Sequence, residues 1–157
     1  MAFADNLYPH ANPMLALHAS APGDSVLARP YDRAEAARRG VIITTESGGH
    51  RRMVDLVEKP SYDTACDLEE RHGRGRLWLL EGRARLTSAF IKHLSGLQLP
   101  EGTEPKLSLA LRSYCHRRPV IIITTSSPVI DLGAPASSAS APLGGVGAAT
   151  GSPGRVD

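Results

Sequence analysis

Three places in the chain put ionisable side chains at the carboxyl end of a strand-like apolar run. Asp5 follows Phe3-Ala4, Glu58-Lys59 closes Val54-Asp55-Leu56-Val57, and Asp131 lies inside the run 129–133. In open α/β sheets ligands collect outside the carboxyl ends of strands. Asp5, Glu58, Lys59 and Asp131 are therefore candidates for one site. Each also has a plain structural reading: an exposed ion pair at a turn for Glu58-Lys59, an Asx-type turn before Pro9 for Asp5, and a strand-end turn before Gly133 for Asp131. Pro60 alone would end the strand, and its ring disfavours helical backbone at the residue before it, so Lys59 is expected to be extended. Cys66 and Cys115 lack Cys-x-x-Cys spacing, and the six histidines are scattered without metal-ligand spacing. Neither set suggests a zinc site or a disulfide framework.

The elements that must position these residues alternate between strand and helix. Residues 25–28 read as a strand, and 31–39 as a short helical or loop segment stopped by Gly40. Residues 41–45 are β-branched throughout, 53–57 form a second short strand, and the polar glycine loop 46–50 between them predicts an antiparallel hairpin. A helix is expected over 62–72 with Gly73 as its stop, then a short strand over 77–80 closed by Glu81-Gly82. Thr87 can cap a helix over 88–94 whose Phe90, Ile91 and Leu94 share a face. Thr103 can cap another over 104–116, with acid and Pro105 in its first turn and arginines near its end, complementing the helix dipole. Residues 120–125 and 129–133 read as strands, 1–4 as the end of a buried strand, and 14–18 as a short helix. This order predicts an α/β domain: a mixed, mainly parallel sheet flanked by helices.

A chain of 157 residues suits one domain. From Ala134 the composition turns to Ala, Gly, Ser and Pro, which bury too little apolar surface to offset their ordering entropy. Residues 134–157 are read as a disordered tail behind a domain over 1–133. Hydrophobic residues at 41% and charged residues at 22% are ordinary for a globular protein. The net charge of +2 is small, and the arginine clusters have no aromatic residues interleaved with them. Nucleic acid is therefore disfavoured as a partner. No run reaches the length of a membrane span, and the N-terminus lacks a basic region followed by an apolar one. A cytoplasmic protein with no membrane partner is the default expectation.

Read in order, the pieces resemble the sugar-1-phosphate nucleotidyltransferases, in particular the UTP–glucose-1-phosphate uridylyltransferase and glucose-1-phosphate thymidylyltransferase branch. FADNLY (3–8) is similar to the family's strand end with a metal-binding aspartate. RGVIIT (39–44) resembles its Gly-Val strand, which approaches the sugar. VEKP (57–60) matches its Glu-Lys-Pro signature, and EGRARLT (81–87) is similar to its Gly-Arg-Tyr-Val-Leu-Thr segment. EPKLSLALRSY (104–114) and VIDLGAP (129–135) stand where the family has a late helix and an Asp-Ile-Gly-Thr-Pro strand. The resemblance covers about residues 1 to 135. It implies a Rossmann-like nucleotidyltransferase fold, truncated at its N-terminus. No segment matches the family's Gly-x-Gly-Thr-Arg nucleotide loop.

The resemblance also implies roles. Glu58 would accept hydrogen bonds from sugar hydroxyls, and Lys59 would pair with the phosphate of the sugar 1-phosphate. Gly40 and Gly82 would let backbone approach the sugar. Asp5 and Asp131 would hold Mg²⁺, with Asp5 and Lys59 the catalytic pair. The implied partners are a sugar 1-phosphate and a nucleoside triphosphate, UTP or dTTP, giving a nucleoside-diphosphate sugar such as UDP-glucose and pyrophosphate. A sheet cut in mid-domain would expose an edge, so a homo-oligomer or a complementing chain is expected to cover it. The other reading is a non-catalytic sugar-phosphate-binding module or regulatory subunit.

Overall fold

The computed structural model of the chain describes residues 6–7, 23–98, 107–125 and 130–131. Its elements run in the order β1 (Asn6–Leu7), β2 (Asp24–Pro30), α1 (Arg33–Ala36), β3 (Gly40–Ser47), β4 (His50–Glu58) and α2 (Tyr62–His72). A 3₁₀ turn (Arg74–Arg76) leads into β5 (Leu77–Arg85), α3 (Ser88–Ser95), α4 (Leu107–Cys115), β6 (Val120–Thr124) and β7 (Ile130–Asp131). Five strands form a sheet in the order β2-β5-β3-β4-β6 that closes on itself, and β1 pairs separately with β7.

The sheet is mixed, as expected, but not mainly parallel. Among the described residues only β2 and β6 run parallel, from Asp24↔Val120 to Ala28↔Thr124. β3 pairs antiparallel with both β4 and β5, β5 pairs antiparallel with β2, and β4 meets β6 antiparallel at Arg52↔Ile121. The reason begins at Gly48 and Gly49, whose φ values of 60° and 74° are both left-handed. Ser47 pairs with His50 across them. A two-residue turn with φ > 0 at both positions returns the chain antiparallel beside itself, where a parallel neighbour would need a crossover of a dozen or more residues.

Strand alternation divides the core into two layers. Ile42, Met53, Leu56 and Ala84 face one side, where Phe90 of α3 and Ala110, Leu111 and Tyr114 of α4 cover them. Val41, Ile43, Leu77 and Leu79 face the other, under Ala36 of α1 and Ala65 and Leu68 of α2. Helices on both faces of a mixed sheet make the architecture α/β. Phe90, Leu56, Leu79 and Leu111 are among the fully buried side chains, each worth about 1.5–3 kcal/mol when taken from water.

Several sequence expectations need correction. Gly40 opens β3 instead of stopping a helix, and α1 is a single turn. β5 continues through Glu81 and Gly82 to Arg85. Thr87 does precede α3, but its hydroxyl donates to Asp24 Oδ2 at 3.1 Å instead of capping the helix. Ile91, expected on the apolar face with Phe90, is 47% exposed. The strand over 1–4, the helix over 14–18, the proposed cap at Thr103 and the tail 134–157 lie outside the described residues. Among those described, no helix is long and apolar enough to cross a membrane.

Candidate functional site

Glu58 ends β4 opposite Gly40, the first residue of β3. The ladder runs one step further, because the Lys59 N–H donates to the Arg39 carbonyl at 3.1 Å. Pro60 behind it is buried, and Ser61 caps α2 with its hydroxyl accepting from the Thr64 N–H. The chain bends at Lys59. Its φ is 43°, the one positive value among the described non-glycine residues. The extended lysine expected from the proline ring is thus not what forms. The ladder bond before it and the buried proline after it fix a left-handed turn that costs about 1–2 kcal/mol.

Gly40 is where the site acquires its shape. A Cβ placed there would meet Leu56 Cδ1 at 3.0 Å, Glu58 Oε2 at 3.2 Å and Leu80 Cβ at 3.5 Å. The Glu58 carboxylate thus lies over backbone that has no side chain of its own. Glu58 and Lys59 are both exposed, and the two charges form no ion pair with each other or with any other described residue. That removes the plain reading of a closed ion pair at a turn. Gly82 is half-buried in β5. It lies two residues beyond Leu80, the neighbour of Gly40, where the β2–β5 ladder shifts register between Leu80 and Ala84. Gly40, Glu58 and Lys59 therefore come together, and Gly82 belongs to the strand paired with β3 on its other side.

The two expected metal ligands are reached only in part. Asp131 is in β7 and pairs with Asn6 of β1, the residue that follows Asp5 in the sequence. Asp5 itself lies outside the described residues. Among those described, no three His, Cys, Asp or Glu side chains gather as a metal site would require.

Three arrangements were missed from sequence. Glu81 is 1% exposed. Arg29 Nε lies 2.8 Å from its Oε1, and Arg39 Nη1 lies 3.3 Å from its Oε2. Glu35 Oε2 joins the same arginines, in contact with Arg29 Nη2 and 3.5 Å from Arg39 Nε. The signal for Glu81 was present: Leu77, Leu79 and Glu81 are alternate residues of one strand and share its buried face. Asp24 is also buried. Its Oδ1 accepts from the Thr87 N–H at 2.6 Å, and its Oδ2 accepts from the Tyr114 hydroxyl at 2.8 Å. Burial, then the hydrogen bond and charge of Asp24, push the Tyr114 hydroxyl up.

The third arrangement fastens α2 to α1. Arg33 Nε donates to Glu69 Oε1 at 2.7 Å, and its Nη2 reaches Oε2 of the same carboxylate. This pairing holds the Glu69 carboxyl at about 2, below its ordinary 4.5. Tyr31 beside it is raised to about 12, chiefly by burial and then by its hydrogen bond to Glu69. Because Ser61, the cap of α2, follows Pro60 directly, this clamp also fixes where the Glu58-Lys59 turn ends.

The α/β domain thus sets a positive-φ lysine and an exposed carboxylate beside a glycine at one end of its sheet. No family profile and no curated protein matches the chain. Solved structures do. A UDP-glucose pyrophosphorylase complexed with UDP-glucose is 24% identical, with a TM-score of 0.64 over 85% of this chain and 50% of that one. A UTP-bound UGPase from Acinetobacter baumannii is 16% identical, with a TM-score of 0.60 over 82% and 44%. A putative glucose-1-phosphate thymidylyltransferase from Bacillus anthracis, in complex with sucrose, is 16% identical, with a TM-score of 0.54 over 81% and 46%. The chain has a sugar-1-phosphate nucleotidyltransferase-like fold, and it spans about half the length of the structures it matches.

Proposed function

We propose that this chain carries the sugar-1-phosphate side of a nucleotidyltransferase that forms a nucleoside-diphosphate sugar such as UDP-glucose. The observation that carries the reading is the Glu58 carboxylate lying over Gly40, followed in the chain by the exposed Lys59, which forms no ion pair with another described residue. An ionised carboxylate only accepts hydrogen bonds and can serve two sugar hydroxyls, while an ammonium is a compact partner for phosphate. Gly40 and Gly82 leave room for the sugar ring against the backbone. In the reaction, a phosphate oxygen of the sugar 1-phosphate bonds to the α-phosphorus of UTP or dTTP. The bond from that phosphorus to the β-phosphate oxygen breaks, and pyrophosphate leaves with the electron pair. Glu58 orients the sugar, and Lys59 offsets charge on the attacking phosphate, so alignment and neutralisation supply the catalysis.

Asp5 and Asp131 are the proposed Mg²⁺ ligands. The pairing of Asp131 with Asn6 fits them, since it joins the two segments that carry these aspartates. A bound Mg²⁺ would supply charge neutralisation between the phosphates. The reading also carries a cytoplasmic setting, supported by two free cysteines; the open edge that called for a second copy or a complementing chain does not occur among the described strands of the five-stranded sheet, which closes on itself.

The test is thermal unfolding with glucose 1-phosphate or UDP-glucose, with Mg²⁺ or a chelator, on the chain and on Glu58→Gln. A rise in midpoint that the variant loses is expected; at one hundred times Kd the gain is about 2.7 kcal/mol. A cooperatively folded chain that shows no rise overturns the reading. A second reading is a sugar-phosphate-binding module without catalysis. Binding without pyrophosphate release from UTP would select it.

A further inference from the structure

Resting on that reading, we infer that Glu81, gripped by Arg39 and Arg29, is a positioning residue for the sugar-phosphate site and acts on it through the backbone from the opposite face of the sheet. Stability does not explain a carboxylate at this place. Leu77 and Leu79 precede it on the same buried face, and a third apolar side chain would continue their row. A buried ion cluster is commonly no more stabilising than apolar residues of similar volume, because desolvation offsets the Coulombic gain. The cluster is nonetheless complete: two guanidinium groups face two carboxylates, Glu81 and Glu35.

Its location gives it a purpose. Arg39 immediately precedes Gly40, and its carbonyl accepts the Lys59 N–H at 3.1 Å. Glu81 immediately precedes Gly82. Three of the site's backbone positions are therefore bonded to a member of the cluster or adjacent to one in the chain. Alternation sets the faces. Gly40 shares its face with Leu56, Glu58 and Leu80, whereas Glu81 shares its face with Leu77 and Leu79, where α1 brings Glu35. Glu81 thus stands behind the ligand face and does not touch the sugar. By tethering the Arg39 side chain to β5, it fixes the strand end whose carbonyl holds Lys59 in its left-handed turn. Such positioning matters steeply, since a misplacement of about 1 Å can cost on the order of a hundredfold in reaction rate.

The experiment is calorimetric titration of glucose 1-phosphate into the full chain, into Glu81→Gln and into the apolar pair Glu81→Leu with Arg39→Met, alongside urea unfolding of each without ligand. The apolar pair removes one negative and one positive charge, leaving Arg29 opposite Glu35. We expect its unfolding midpoint to stay near that of the parent while both variants bind about tenfold to a hundredfold more weakly, the effect of losing one hydrogen bond between ligand and a charged group. A purely structural role would make affinity follow stability, so an apolar pair with parental affinity overturns the inference, as does Glu81→Gln with parental affinity. If the apolar pair fails to fold, Glu81→Asp, which keeps the charge but is one methylene shorter, takes its place under the same criterion. A parent chain that folds yet does not bind glucose 1-phosphate overturns the sugar-phosphate reading itself, and this inference with it. That outcome is distinct from a parent that binds and variants that bind equally well.

Discussion

Gly40→Ala tests the shape of the site with a single carbon atom. The backbone there is not left-handed, so alanine can adopt it. The added methyl would stand 3.0 Å from Leu56 Cδ1 and 3.2 Å from Glu58 Oε2, both closer than comfortable contact. Leu56 is 1% exposed and can yield only by repacking, and overpacking of this kind costs about 1–3 kcal/mol. The contact is with one terminal methyl, which places the cost at the low end. Replacing glycine also restricts the unfolded chain, which returns about 0.4–1 kcal/mol. The net loss of stability is then about 1 kcal/mol or less. The exposed Glu58 carboxylate has the easier escape and will swing off the glycine, leaving the position from which it would receive sugar hydroxyls. We expect glucose 1-phosphate to bind at least tenfold more weakly, about 1.4 kcal/mol. Urea unfolding gives the first quantity and calorimetric titration the second. Parental affinity in the alanine variant would refute the argument that Gly40 keeps the carboxylate in place. A stability loss beyond about 3 kcal/mol would refute the assignment of the strain to a yielding contact.

Lys59→Gly should raise stability by about 1 kcal/mol in urea unfolding, because glycine occupies the left-handed turn without strain, and should abolish the ligand-induced rise in thermal midpoint. A variant less stable than its parent would contradict the strain assignment. Tyr114→Phe removes a donor from the buried Asp24 carboxylate and should cost about 1–3 kcal/mol by chemical denaturation. Glu69 titrates at about 2 in the folded chain against an ordinary 4.5, so its contribution is complete above the higher value and fades as pH falls through the lower. The stability difference between the parent and Glu69→Gln should therefore shrink across that interval, and a difference independent of pH would show that the Arg33 pairing is not what depresses it. Tyr31, raised to about 12 from 10, has the opposite sign. It stabilises below 10, and its contribution is lost as pH rises through 12, so Tyr31→Phe should flatten the alkaline limb of the unfolding profile.

Those elements that local chemistry specifies were legible in the sequence. The β-branched run before Gly48-Gly49 forms half of the hairpin, and the helix over 62–72 ends at Gly73 with φ 74°. The Glu58-Lys59 placement at a strand end was legible for the same reason. What escaped depends on partners far along the chain. Glu81 reads as a strand end because a charge interrupts an apolar run, but Arg29 of β2 and Arg39, immediately before β3, pair with it and β5 continues through it. Thr87 reads as a helix cap because its competing acceptor, Asp24, is supplied by another strand. The antiparallel majority follows from which strands become neighbours, a choice that periodicity does not encode.

The residues that break local rules nevertheless converge. A left-handed lysine before a proline, a glycine beginning a strand under a packed leucine, and a carboxylate buried in an apolar row are each unfavourable taken alone. Glycine at 59 or leucine at 81 would satisfy propensity and packing better. All three occur at one end of the sheet, and two are tied by the single hydrogen bond from Lys59 to the residue before Gly40. Violations scattered over a fold are tolerated noise, but violations that share an edge and a bond need a common cause. Inference in this direction, from observed outliers to a role, is the sound one. It is also independent of the family resemblance, because the left-handed φ, the Gly40 contacts and the burial of Glu81 are features of this chain's own geometry.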